Sequence, residues 1–132
     1  MSTDQHLQTG TLGEKIAERY LKNYDHTIVE RNYRKPWGEI DIISKKEQIV
    51  HFIEVKTVSY ETKSELQEAI KNGTFRPDEQ VDHGKLKKLR KIIETWCSEK
   101  RYRGDLQLDV AAVRIVSSNK YAAVEYFPNV SP

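Results

Sequence analysis

Two apolar runs carry charges where a sheet interior is expected. They are Trp37-Gly38-Glu39-Ile40-Asp41-Ile42-Ile43 and Ile49–Lys56, which ends Ile53-Glu54-Val55-Lys56. A charge inside a sheet is expensive unless it is paired or holds a metal. Alternate residues of a strand share a face, so Glu39, Asp41 and Ile43 lie on one side of the first run and Gly38, Ile40 and Ile42 on the other. In the second run Val50, Phe52, Glu54 and Lys56 share a face; His51, with Ile49, Ile53 and Val55, points away and is a poor ligand. The polar segment Ser44–Gln48 reads as a hairpin loop, without the Asn-Gly or Asp-Gly pair that would fix its register. A loop centred near Glu47 and Gln48 sets Asp41 opposite Glu54 and Glu39 opposite Lys56. A slip of one residue would set all four charges against an apolar face.

Two neighbouring carboxylates repel unless a divalent cation neutralises them. Mg²⁺ takes hard oxygen ligands, commonly one or two carboxylates, and completes its shell with water and phosphate oxygens. A metal so held activates water and stabilises negative charge at phosphorus. Asp41 and Glu54, with the Val55 carbonyl, are therefore candidate ligands for Mg²⁺ or Mn²⁺. Lys56 is the candidate for orienting the attacking water or offsetting the developing charge, and Glu39 is an accessory acid. The structural alternative is an exposed sheet face with cross-strand ion pairs, such as Glu39 with Lys56.

These runs need a scaffold. Residues 1–10 read as a loose lead, followed by a helix from about Leu12 to Asn23 and a strand from Thr27 to about Arg34. Lys35-Pro36 turns into the Trp37 strand, and the hairpin continues to Thr57. Residues 60–77 are polar and contain Asn72-Gly73, which predicts a mobile loop with a short helix around Ser64–Lys71. Pro77 suits the start of a long helix reaching Lys100. Leu106–Val116 and Tyr121–Phe127 read as closing strands, the first nearly continuous in apolar residues and so central. The expectation is one α/β domain over residues 1–132, with a mixed central sheet of about five strands flanked by helices.

On the first helix Leu12, Ile16, Ala17, Tyr20 and Leu21 form the apolar face; Glu14 borders it and Glu18 lies further into solvent. Thr11-Leu12-Gly13-Glu14 also fits a capping box, so capping and a place in the site explain Glu14 equally well. The long helix carries Lys85, Lys87, Lys88, Arg90 and Lys91, a stripe that suits backbone phosphates or simply solvent. Lys85 projects on the apolar side, toward the cleft or snorkelling at the helix end. Trp37 and Tyr60 flank the acidic strands, where they can stack on bases or pack, packing being favoured for Trp37. Asp109 sits in an apolar strand, which suits an interior hydrogen-bonding role at least as well as metal binding.

The chain has 132 residues, 37% hydrophobic and 32% charged, with net charge +2. That suits one soluble domain and excludes a polycation. No run reaches membrane-spanning length, and the polar N-terminus lacks a signal-peptide core. Cys97 is the single cysteine, so no internal disulfide can form, and the expected location is the cytoplasm.

Taken in order, Gly13-Glu14, Arg31-Asn32-Tyr33, Trp37-Gly38-Glu39-Ile40-Asp41, Glu54-Val55-Lys56 and Asp109-Val110 resemble the bacterial YraN family. That family is a largely uncharacterised branch of the restriction-endonuclease-like PD-(D/E)XK nucleases, similar to archaeal Holliday junction resolvases. The resemblance runs from about Thr11 to Val116. It implies a restriction-endonuclease-like fold, Asp41 and Glu54 as metal-binding acids, Lys56 as catalytic lysine and Glu14 as the helix-borne acid. It also implies DNA as partner, branched DNA in particular, and a homodimer. One departure is Thr57-Val58-Ser59 leading into a long polar segment, where the family often has Thr-Arg-Ser and a short connection. The function expected is a Mg²⁺- or Mn²⁺-dependent endodeoxyribonuclease. The alternatives are a non-catalytic DNA-binding module with a vestigial site and an RNA-directed enzyme.

Overall fold

The structure, a computed structural model, describes residues 3–72 and 83–130. Helix α1 (Thr3–Asn23) leads into strands β1 (Thr27–Lys35), β2 (Gly38–Lys46) and β3 (Ile49–Tyr60); helices α2 (Lys63–Lys71) and α3 (His83–Lys100) follow, then β4 (Asp105–Val116) and β5 (Tyr121–Phe127). The strands form one sheet in the order β1-β2-β3-β4-β5. All neighbours are antiparallel except β3 and β4, which are parallel and joined through the two helices. The result is the α/β architecture expected, a five-stranded mixed sheet flanked by three helices.

The sheet separates two cores. Phe52, Val50 and Val110 pack with Leu89, Ile92 and Trp96 of α3. On the other side Ile42, Ile53 and Val113 pack with Ala17 and Leu21 of α1. Each helix is held by an apolar stripe rather than by propensity, as a half-exposed helix must be.

Four expectations change. First, α1 begins at Thr3 rather than Leu12, so residues 3–10 are helix and not a loose lead. Thr11 is then inside the helix and cannot cap it. Second, Leu12 is exposed, and Gly13 takes its place on the buried face with Ala17 and Leu21. Third, the β2–β3 loop is only Glu47 and Gln48, both with positive φ (52° and 69°). That is the left-handed geometry of a two-residue hairpin turn. Ser44 belongs to β2 and is buried, its hydroxyl 2.8 Å from His26 Nδ1. Fourth, Glu18 is not out in solvent. Its side chain is 16% exposed and pairs with Arg31 of β1 and Lys22. Of the polar segment 60–77, expected to be a mobile loop, Tyr60 ends β3 and the short helix expected near Ser64–Lys71 is α2, while Pro77 and residues 73–76 lie outside the described residues.

Candidate metal centre

The expected hairpin register holds: Ile42 faces Ile53 and Lys46 faces Ile49, the count that carries Asp41 to Glu54. What the alternation rule does not anticipate is a break at Asp41 itself. The β2–β3 pairing stops at Ile42–Ile53, and the β1–β2 pairing steps from Arg31–Ile42 to Tyr33–Ile40, passing over Asn32 and Asp41. Ile40 consequently packs in the α3 core with Ile43, while Ile42 packs in the α1 core. Strict alternation would have put Ile40 with Ile42. At the break Asn32 takes a positive φ of 50°, which an asparagine tolerates better than most residues. Asp41 Oδ2 accepts the Val55 N–H at 2.8 Å, replacing the lost strand pairing with a side-chain bond.

Helix α1 brings Glu14 to this point because Gly13 lets it come close. A Cβ on Gly13 would stand 1.9 Å from Thr57 Oγ1, so any side chain there would displace Thr57 or push the helix off β3. Glu18, one turn on, ties the same helix to Arg31, next to Asn32. Carboxylate oxygens of Glu14, Glu39 and Asp41 consequently lie within 4.8 Å of one another. Burial and then the neighbouring Glu54 charge push the Asp41 carboxyl up to about 7. Glu14 is raised as well, by burial and then by Glu39. All the donors are hard carboxylate oxygens crowded beyond what charge repulsion favours, a set that suits Mg²⁺ or Mn²⁺.

Glu54, whose charge bears on Asp41, is held by lysines instead. Its side chain is 12% exposed, and one oxygen lies 2.9 Å from Lys85 Nζ and 3.3 Å from Lys56 Nζ. Glu39 pairs not with Lys56, as the structural alternative had it, but with Arg34 opposite it on β1, at 3.2 Å. Burial, and then the adjoining Lys85 ammonium, hold Lys56 below the ordinary lysine range. Glu39, Asp41, Glu54, Lys85 and Lys88 share one cleft of about 250 Å³ against α3. Asp41 also borders a second cleft of about 390 Å³ on the α1 side, with Glu14, Val55, Thr57 and Ser59. Asp41 is therefore the wall between the two.

The basic stripe divides. Lys85 and Lys88 face the acidic cleft. Lys91 lies over the Trp37 ring, 5.6 Å from its centroid, while the indole N–H donates to Thr95 Oγ1 at 3.2 Å. Trp37 is thus packed on one side yet 40% exposed. Lys87 is exposed and lines neither cleft, and Arg90 faces a different, mostly apolar cavity of about 460 Å³ between α3 and β4, whose acid among the described residues is Glu94. His51 and Asp109 belong to the interior. Asp109, fully buried, accepts from Gln107 Nε2 and the Asn129 N–H and bonds His51 and the Tyr126 hydroxyl. That network accounts for its charge without a metal. The residues the sequence reading missed are Asn32, Gly13 as a contact point, and Arg31 as a clamp. An asparagine within a strand pattern was the available signal.

Residues 13–113 match the model of the uncharacterised protein family UPF0102, which is the YraN family indicated by the motifs. A UPF0102 protein of Campylobacter lari is 38% identical over 113 residues, 86% of this chain and 88% of that protein. One from Campylobacter jejuni subsp. jejuni strain 81-176 is 34% identical over 105 residues, 80% and 82% of the two chains. One from Dictyoglomus thermophilum is 33% identical over 123 residues, 92% and 95%. The chain belongs to UPF0102. Among the described residues, no helix is long and apolar enough to cross a membrane.

Proposed function

We propose that this UPF0102 protein is a metal-dependent endonuclease that hydrolyses DNA phosphodiester bonds, with branched DNA its favoured substrate. The observation that carries the reading is the convergence of Glu14, Glu39 and Asp41, from two elements and across a break in the sheet, beside Glu54 and Lys56. Asp41 with Glu14 and Glu39, and Glu54 from the adjoining strand, are the side chains that would hold Mg²⁺ or Mn²⁺, with the Val55 carbonyl as a main-chain donor. When bound, the cation supplies charge neutralisation and a water of lowered pKa. Asp41 is kept pointed into the site by the Val55 N–H. Lys56, already a weakened cation, can orient the attacking water or offset the charge that gathers on the phosphate. Lys85 and Lys88 line the same cleft and match phosphate without reading bases. The preference for branched DNA rests on the resemblance to the archaeal resolvases.

The test is cleavage of labelled four-way junctions, flaps, linear duplex and single strands with Mn²⁺, Mg²⁺ or EDTA. The Glu54→Gln, Asp41→Asn and Lys56→Ala proteins are run in parallel. Metal-dependent cutting of one DNA form, lost in all three variants while their fold is kept, is the expected result. Cutting retained in Asp41→Asn or Lys56→Ala would sink the assignment. No cutting on any substrate, with DNA binding indifferent to EDTA, would make the protein a binding module instead.

A further inference from the structure

Glu54 is the one acid of the cleft outside the carboxylate trio, and two lysines pair with one of its oxygens. Lys56 comes from the same strand, two residues on. Lys85 comes from the first turns of α3 and makes the shorter contact, 2.9 Å against 3.3 Å, to the same Glu54 oxygen. Lys85 also shares the cleft with Glu39 and Asp41. It is only partly exposed, with 33% of its side chain open. A cation placed there has two opposed effects. It neutralises Glu54 and so competes with a metal for that carboxylate. It is also partly open to solvent, within reach of a phosphate entering the cleft.

Resting on the nuclease reading, we propose that Lys85 is a positioning residue that exchanges partners: it restrains Glu54 in the ligand-free site and passes to a substrate phosphate when Glu54 turns to the metal. The exchange keeps the charge of the cleft nearly balanced in both states. Without ligand, three cations, Lys56, Lys85 and Lys88, face the acids; with metal and phosphate present, Lys85 is matched by the incoming anion. It also separates two affinities that a purely supportive residue would move together. Removing the Lys85 charge strengthens metal binding, because the competitor for Glu54 is gone, and weakens DNA binding, because a phosphate contact is gone.

The experiment measures Mn²⁺ affinity by calorimetry, and affinity for four-way-junction DNA across a salt series, on the full chain. It compares the parent, Lys85→Met, Lys85→Arg and, as a control of equal charge change, Lys87→Met, whose side chain lies outside the cleft. Lys85→Met is expected to bind Mn²⁺ roughly tenfold tighter, in keeping with removal of a neighbouring unit charge. Its DNA affinity should fall, with the log–log salt slope reduced by about one. Lys85→Arg should keep parent behaviour in both, and Lys87→Met should leave Mn²⁺ affinity unchanged. Mn²⁺ affinity that is unchanged or weaker in Lys85→Met, with the parent binding Mn²⁺, overturns the exchange alone. A parent protein that binds no Mn²⁺ overturns the metal site and the exchange with it.

Discussion

Replacing Asp41 by asparagine should make the metal-free protein more stable and remove the gain that metal provides. The Asp41 carboxyl is mostly buried and its pKa rises from 3.8 to about 7, through burial first and the Glu54 charge second. A carboxyl raised in the folded state stabilises the fold when protonated. That stability is fully present below pH 3.8 and is lost as pH rises through about 7. A rise of that size corresponds to roughly 4 kcal/mol between the two limits. Of this, about 2 kcal/mol falls between about pH 5.5 and about pH 8, or roughly 8 °C in Tm for a chain of this size. Asparagine is nearly isosteric, keeps an oxygen for the Val55 N–H and carries no charge. In EDTA, urea unfolding of the parent should therefore weaken over this range, while Asp41→Asn should be nearly flat and the more stable of the two at about pH 8. With Mn²⁺ at about a hundred times its Kd, the parent should gain roughly 3 kcal/mol and the variant much less. Parallel pH curves in EDTA would refute the claim that Asp41 is a strained, buried acid. Equal stabilisation of both proteins by Mn²⁺ would refute its place among the ligands.

Gly13→Ala should destabilise the protein by about 1–3 kcal/mol despite alanine's better helix propensity, because its Cβ meets Thr57 Oγ1. Urea denaturation checks the sign, and Mn²⁺ calorimetry should show weaker binding as Glu14 retreats with the helix. Asp109→Asn should cost about 2–4 kcal/mol by placing an amide among the donors that now meet a carboxylate. Its Mn²⁺ affinity should nonetheless match the parent's; a loss would move Asp109 into the site. Glu18 should titrate near about 2, held low chiefly by its hydrogen bonds to Arg31 and then to Lys22. Any stability it contributes is present above pH 4.5 and is lost as pH falls through about 2. Carboxyl-resolved NMR on Arg31→Met should show its midpoint move upward toward 4.5, and an unmoved midpoint would remove the α1–β1 clamp.

Most of the scaffold was legible because its signals are local. Strand parity indicated which faces of β2 and β3 meet, and a loop centred at Glu47 and Gln48 then gave the register observed. The apolar runs Ile49–Val55 and Leu106–Val116 likewise marked interior strands. What escaped depends on distant partners. The first turns of α1 lack an apolar stripe, so nothing local marks them as helix. Glu47 and Gln48 adopt a turn geometry usually signalled by Asn-Gly, so the tight turn hid within a polar run. Lys85 and Glu54 are brought together only by the packing of α3, which no sequence spacing records. The site residues themselves stood out as charges in apolar runs, but their division into an acidic trio and a lysine-held glutamate is a property of the assembled fold.

Three departures from ordinary local rules meet around Asp41, and that bears on the choice between an ion-paired sheet surface and a working centre. Asp41 interrupts a strand whose pairing with β3 is regular from Ile42 to Lys46, Asn32 beside it takes a left-handed φ, and a glycine stands in the middle of α1 where alanine would favour the helix. A sheet face carrying surface ion pairs would need none of these, since exposed pairs form on regular strands and contribute about 0–1 kcal/mol each. Here the irregularities act together to move Glu14, Glu39 and Asp41 toward one another, against their own repulsion. Of the trio only Glu39 meets a base, Arg34 at its exposed edge, whereas Glu18 is matched by Arg31 and Asp109 by its network of donors. Strain of this kind is expected where a ligand later relieves it, and the cation of the proposed function is the ligand that would relieve three crowded carboxylates.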